Sequence, residues 1–569
     1  MVQEKYELWC KKAVKDPDLI KELESIKNDR DAINDAFYTE LEFGTAGLRG
    51  IIGAGSNRMN VYTVSQATQG LAEYVLKNSK NPSVAIAYDS RIKSDLFAKT
   101  TAEVFAGNGV KVYIYKELMP TPMLSFAIRQ LKCDAGVVVT ASHNPSKYNG
   151  YKAYDETGCQ LGPEAADFVL DIMKSVDIFD GAKSVDFEEG LKSGIIEYIG
   201  DDVINAFLDE VEKCRVSKDM DLSGLKLIYS PLNGTGNKPV RNILSRIGVK
   251  NITVVKEQEM PNGNFPTCPY PNPEIKQVFE IALEMAKEIN PDLLLATDPD
   301  CDRVGIAVNV DGSFELFTGN DVGVLLLNYM LSVKKLNGTL PKKPVAVSTI
   351  VSTRLSKKIA EDYGCELRET LTGFKFIGEQ LTSLSDKNEQ ERYILGFEES
   401  YGYLAGSYVR DKDAVTASML ICEMTAYYKA QGKNLKQVLN EIYEKYGYYF
   451  CAQKSFTCEG QSGIAKIKGI TENLRANPPK TIAGSKVTEI KDIKTSKLKN
   501  TVTGEETEIN LPKSNVLCYY LEDGDSLIVR PSGTEPKIKI YIGAVAKDAV
   551  SAQSRREELI KAGTELLGF

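Results

Sequence analysis

Three times along the chain an apolar run stops abruptly at a cluster of polar and charged residues. Residues 137–140 (VVVT) lead into Ala141-Ser142-His143-Asn144-Pro145. Residues 293–297 (LLLAT) lead into Asp298-Pro299-Asp300-Cys301-Asp302-Arg303. Residues 393–397 (YILGF) lead into Glu398-Glu399-Ser400. A short apolar run bounded by turn residues reads as a buried strand. Open α/β sheets place ligands at the carboxyl ends of such strands. Between the runs the pattern turns helical: 84–91 reads as a strand, a helix follows, and 110–115 reads as a second strand, the βαβ signature of a parallel or mixed sheet. One α/β unit used three times explains this layout. From about residue 450 the pattern changes to segments that alternate apolar and polar residues, followed by an amphipathic helix that runs to Leu567. That is the pattern of an antiparallel α+β domain.

At 569 residues, division by about 150 per domain gives roughly four. The expected domains are 1–205, 206–318, 319–449 and 450–569. The fold class is thus three similar α/β domains with mixed sheets plus a C-terminal antiparallel α+β domain. Residues 1–40 carry helical spacing and read as surface helices without assigned chemistry. The net charge of −8 argues against nucleic acid or an anionic membrane as partner. No run of about 18 apolar residues predicts a membrane span, and the charged N-terminus does not read as a signal peptide. The eleven cysteines show no CxxC pair, and His143 is the single histidine, so a structural zinc site is not expected. Dispersed thiols fit a reducing, cytoplasmic setting.

Several residues point to chemistry. Asp298, Asp300 and Asp302 alternate, so three carboxylates can converge on one cation. The EF-hand alternative fails, because its sixth position is Arg303 and its twelfth is Asn309. Three oxygen ligands without a cage suit Mg²⁺, which keeps positions open for phosphate. An acidic surface turn is the plain alternative, as a cap or turn serine is for Ser142. Glycines 50, 53 and 55 suggest a nucleotide loop, but Arg58 stands where the last glycine of the fingerprint belongs. A serine hydrolase would need a base for its serine, and the chain offers one histidine, adjacent to the serine in sequence; no GxSxG elbow is present either. In the last domain Arg530-Pro531-Ser532-Gly533-Thr534 offers a guanidinium fork and turn amides suited to phosphate.

Together these motifs resemble the α-D-phosphohexomutases, the phosphoglucomutase and phosphomannomutase superfamily. Thr140 to Pro145 resembles its phosphoserine loop. DPDCDR resembles its metal loop, with Pro299 and Cys301 departing from the usual DGDGDR at non-ligand positions. GFEES resembles its sugar-binding loop, and RPSGTEPK its distal phosphate loop. They occur in the family's order, and TAGLRG with GFEES is similar to the phosphoglucomutase and phosphopentomutase-type branch.

The resemblance implies four domains around a central cleft, acting as an intramolecular phosphotransferase of the isomerase class. Ser142 would carry the phosphoryl group. Mg²⁺ would sit on Ser142, Asp298, Asp300 and Asp302. Arg49 would reach the catalytic phosphate, and Lys152 would be general acid or base with its pKa lowered by neighbouring cations. His143 would orient the carrier or supply a proton. Arg303, Lys375, Glu398, Ser400, Arg410, Lys412, Arg530, Ser532, Gly533 and Thr534 would bind substrate. Glucose 1-phosphate and glucose 6-phosphate would interconvert through glucose 1,6-bisphosphate, which also serves as activator. The alternatives are a pentose or mannose phosphate substrate, or a phosphoserine-dependent phosphatase. Partners would be sugar phosphates only, and the chain a monomer or homodimer.

Overall fold

The computed structural model describes residues 2–44, 47–458, 460–532 and 537–569, the side chains of 460–462 excepted. The chain divides into two compact units. The first holds 1–317, 377–395 and 400–432; the second holds 318–376, 396–399 and 433–569.

Two sheets of the first unit are built on one plan. In the six-stranded sheet, Ala135–Val139 pairs parallel with Ser83–Tyr88 on one side and antiparallel with Tyr148–Asp155 on the other. In the five-stranded sheet, Leu293–Thr297 pairs parallel with Lys226–Ser230 and antiparallel with Val304–Val310. Each central strand is wholly buried, which is why it reads as an unbroken apolar run rather than an alternating one. Gly136 admits the helix Thr121–Leu131 against the sheet, since a Cβ there would meet Ile128 Cδ1 at 2.4 Å. Asp298 to Arg303 is the turn between two antiparallel neighbours, with Thr297 and Val304 in register. The apolar helix Ala414–Lys429 packs on Asn237–Arg246 and on the metal-loop strands, so residues expected as one domain, 319–449, contribute to both units.

The N-terminal helices Val2–Lys12, Pro17–Ile26 and Arg30–Phe37 are not the surface decoration expected of them. Trp9 is 2% exposed and meets Phe37, Tyr62 and Phe179 edge-on, and Leu19, Leu23 and Ile33 join the same core. Their polar groups grip the glycine-rich segment after Arg49. Glu22 accepts from Ala54 N at 2.8 Å, and Ala36 O from Asn57 N at 3.0 Å.

In the second unit, Val345–Thr349 and Glu366–Thr370 pair in parallel. The C-terminal strands, from Tyr448–Thr457 to Lys537–Ala546, form one eight-stranded sheet whose pairings are all antiparallel. The helix Ala549–Leu566 covers Tyr448–Thr457 and Lys537–Ala546. No described helix is long and apolar enough to cross a membrane.

Candidate active site

Ser142 follows the buried strand by three residues and adopts φ 50°, a left-handed backbone uncommon for a residue with a Cβ. Cys301 and Tyr401 do the same in the other two strand-end loops, at φ 52° and 66°. Backbone strain of this kind concentrates at functional sites and needs support from its surroundings. For Ser142 that support is visible. Its N–H donates to Thr140 Oγ1 at 2.8 Å, and Thr140 Oγ1 donates to Asp89 Oδ2 at 2.6 Å. Arg91, fully buried, donates to the carbonyls of Ser142, Asn144, Pro145 and Tyr148, and its guanidinium lies over the Phe265 ring.

The serine hydroxyl donates to Asp298 Oδ2 at 2.7 Å and lies 3.1 Å from His143 Nδ1. The carboxylates of Asp298, Asp300 and Asp302 offer oxygens all within 4.8 Å of one another, and all three residues are buried. Asp298 Oδ1 accepts from the backbone N–H of Asp302 and Arg303, which closes the turn around it. Thr121 braces Asp300 twice, its N–H to the backbone carbonyl and its hydroxyl to Oδ2, both at 2.9 Å. Lys152 reaches Asp300 Oδ2 at 2.7 Å and Asp302 Oδ2 at 3.4 Å. Lys412 adds a second buried ammonium, 3.1 Å from Asp302 Oδ2 and 3.1 Å from Asp411.

Burial and the two neighbouring carboxylates push Asp298 well above the usual carboxylate range. Burial works the same way on Asp300, but the Lys152 ammonium outweighs it and holds Asp300 low. Burial, with Arg303 and Arg49 nearby, pushes His143 well below the ordinary imidazole value, so it is neutral. For Lys152, burial favours the amine, yet the facing carboxylates of Asp300 and Asp302 overcome it and raise the pKa.

A cation fits this cluster. Asp300 Oδ1 and Asp302 Oδ1 are buried without a hydrogen-bond partner among the described residues. A buried carboxylate oxygen left unsatisfied costs about 1–3 kcal/mol or more, which a bound hard cation would relieve. The donor set, carboxylate oxygen only, suits Mg²⁺ or a similar hard ion.

Other expected residues fall elsewhere. Arg49 donates to Asn144 Oδ1 at 3.3 Å, beside the serine loop, and Arg303 pairs with Glu274 at 2.6 Å. Arg410 is 1% exposed. Its guanidinium bonds Ser407 O, Val409 O, Thr382 Oγ1 and Ser385 Oγ, so it ties its own loop to the helix Phe374–Asp386. In the second unit Glu398 accepts from Gly373 N at 2.8 Å, Glu399 from Thr349 Oγ1 at 3.2 Å, and Lys375 Nζ lies 4.9 Å from the Phe376 ring centroid. Arg530 contacts Tyr541 OH at 3.5 Å, and Ser532 N donates to Lys537 O at 2.8 Å. Gly533 and Thr534 lie outside the described residues. Ser400 is half-buried in the turn before Tyr401. Sequence reasoning passed over Arg91 and Thr121. Asp89-x-Arg91 at the end of a neighbouring apolar strand was the available clue.

Profiles of phosphoglucomutase/phosphomannomutase α/β/α domains I, II and III match residues 40–178, 205–312 and 318–446, and the C-terminal domain profile matches 473–561. A phosphoglucomutase from Staphylococcus saprophyticus is 36% identical over 509 residues, covering 89% of this chain and 91% of that one. The chain belongs to the phosphoglucomutase/phosphomannomutase family. Within that family, a phosphoglucomutase from Staphylococcus aureus strain MRSA252 is 36% identical over 544 residues, covering 95% of this chain and 96% of its own. The open form of pp63/parafusin, a phosphoglucomutase from Paramecium, shares the fold at a TM-score of 0.69 and 18% identity, over 93% of this chain and 95% of that one. Ser142 falls in family domain I, the three aspartates in II, Glu398 and Lys412 in III, and Arg530 in the C-terminal domain. The helices before residue 40 precede the matched region, although they are built into its core.

Proposed function

We propose that this protein interconverts glucose 1-phosphate and glucose 6-phosphate, with Ser142 as phosphoryl carrier and glucose 1,6-bisphosphate as the intermediate and activator. One observation carries the reading: the Ser142 hydroxyl lies 2.7 Å from one member of a buried three-carboxylate cluster whose other two members hold Lys152. Phosphoryl transfer asks a protein for positioning and charge stabilisation more than for covalent work. Mg²⁺ held by Asp298, Asp300 and Asp302 would supply Lewis-acid neutralisation of phosphate charge.

The chain's own residues do the rest. The Arg91 and Thr140 contacts pin the serine backbone, so Oγ meets phosphorus without reorganisation. Two acceptors stand within reach of the hydroxyl proton: Asp298 Oδ2 and, in the tautomer unprotonated there, His143 Nδ1. Lys152, charged, stabilises negative charge and can deliver a proton to a departing sugar oxygen. Arg49 and Arg303 add fixed positive charge. Glu398, Ser400 and Lys375 are assigned to the sugar, and Arg530, Ser532, Gly533 and Thr534 to the phosphate that is not reacting. Glu-Glu-Ser at 398–400 favours glucose over mannose. The test is a panel of sugar 1-phosphates with Mg²⁺ and the bisphosphate, followed by phosphorus NMR. The expected result is glucose 6-phosphate as main product with little inorganic phosphate. Phosphate release as the main signal would instead identify a phosphatase, and preference for mannose or ribose phosphates would overturn the sugar assignment.

A further inference from the structure

Behind the metal loop, within the first unit, lies a recess of about 870 Å³. Its size matches sites that take small organic molecules. Its walls come from two sheets. One wall is the segment after Lys111–Tyr115; the other is the helix Asn237–Arg246 and the strand Asn251–Val254.

The lining has two chemical characters. Met119, Val249 and Ile252 give it apolar wall. Around this stand Lys116, Lys238, Arg241 and Lys250, against two carboxylates, Glu117 and Glu259. Both carboxylates are engaged: Glu117 pairs with Lys238, and Glu259 with Arg241 at 2.7 Å. Lys116 and Lys250 form no ion pair among the described residues. A net-positive recess on a chain of net charge −8 is a local reversal of sign that attracts anions and turns away cations.

One wall of the recess also meets the metal loop directly, and the other leads to it through the chain. Thr235, in one wall, donates from its N–H and its hydroxyl to Pro299 O at 2.8 and 3.0 Å, and a Cβ on Gly234 would lie 2.5 Å from Pro299 Cα. Thr121, two residues beyond Met119, holds Asp300 by two hydrogen bonds. A group wedged between these walls therefore bears on Pro299 through Gly234 and Thr235, and on Asp300 through the chain from Met119 to Thr121.

We infer that this recess binds a small organic anion with an apolar body, and that its occupancy is coupled to the metal loop. The coupling rests on Asp298, Asp300 and Asp302 holding a cation; the binding itself does not depend on the proposed reaction.

The probe is 1-anilinonaphthalene-8-sulfonate, whose fluorescence reports binding without turnover. It is titrated into the intact wild-type protein, a Lys116→Gln/Lys250→Gln variant, and an Asn242→Trp variant that fills the recess. Circular dichroism and thermal unfolding check that all three are folded. The wild type should bind one probe per chain saturably. Loss of two exposed ammonium contacts should weaken this about tenfold, and Asn242→Trp should abolish it. Equal affinity in all three proteins, or no saturable binding to the wild type, overturns the site. Coupling is reciprocal, so saturating Mg²⁺ should shift the probe's affinity by about fivefold or more. Calorimetry without probe establishes separately that Mg²⁺ binds. If it binds and the probe's affinity is unchanged, the coupling is overturned.

Discussion

The guanidinium of Arg91 donates to the carbonyl of Ser142 at 2.5 Å, from beneath the loop and with no exposure of its own to solvent. The same side chain bonds three more carbonyls of that loop and pairs with Asp89, which holds Thr140 and, through it, the Ser142 N–H. One planar fork thus sets the backbone that aims the carrier hydroxyl. Arg91 never touches the reacting atoms; it positions the residue that does.

Arg91→Lys keeps the charge opposite Asp89 but loses the fork, which an ammonium cannot reproduce. It should lower kcat by about 10²-fold, a misplacement effect, with KM for glucose 1-phosphate nearly unchanged. Arg91→Met should instead cost about 3–5 kcal/mol in urea unfolding, because it leaves Asp89 buried without its partner. Steady-state kinetics and denaturation curves separate the two outcomes. Equal kcat in wild type and Arg91→Lys would contradict the positioning role.

Asp300→Asn removes one of three converging charges and the 2.7 Å contact of Lys152. Mg²⁺ affinity, read by calorimetry, should fall at least about tenfold, the equivalent of 1.4 kcal/mol. Turnover should fall with it, and excess chelator should silence the wild type. Full activity of the wild type in chelator would remove the metal from the account.

Arg410→Met separates a scaffold role for that residue from a substrate contact. Its guanidinium serves four internal acceptors. Lost buried hydrogen bonds to a charged group cost about 1.5–3 kcal/mol each, so thermal stability should drop clearly while KM stays near the wild-type value. A raised KM at unchanged stability would restore it to the substrate.

Arg530→Ala should damage recognition of the non-reacting phosphate. A charge-assisted fork is worth more than a neutral hydrogen bond, so KM should rise markedly. Binding at a remote phosphate also drives the chemical step, so kcat should fall as well, and initial rates should depend more steeply on added glucose 1,6-bisphosphate. Identical kinetics in both proteins would make Arg530 an ordinary strand residue.

Much of this was legible in the sequence because buried central strands leave unmistakable apolar runs, and their ends fall where sheets place chemistry. Ser142 and the three aspartates stand at such ends, the family resemblance implied their roles, and the structure brings Ser142 and Asp298 together across 156 residues of sequence. Charge partners were harder to read. Lys412 follows the sugar-loop segment in sequence, yet its ammonium lies on Asp302. Arg410, two residues earlier, is turned inward, because Thr382 and Ser385 offer it acceptors that no local pattern reveals. The direction of the Lys152 shift depended on the same long-range pairing: two carboxylates from another sheet raise it. The N-terminal helices looked like surface because their apolar stripe is narrow; Trp9 and Phe37 show that the stripe closes a core.

The central claim is that Ser142 carries the phosphoryl group. Intact-mass spectrometry of wild type and Ser142→Ala, each incubated with glucose 1,6-bisphosphate and Mg²⁺, tests it most directly. The wild type should gain one phosphoryl group, lost again when glucose 1-phosphate is added. Ser142→Ala should gain none and turn over no substrate, with its unfolding curve near that of the wild type. A phosphoryl adduct on the alanine protein, or turnover by it at the wild-type rate, would contradict the account.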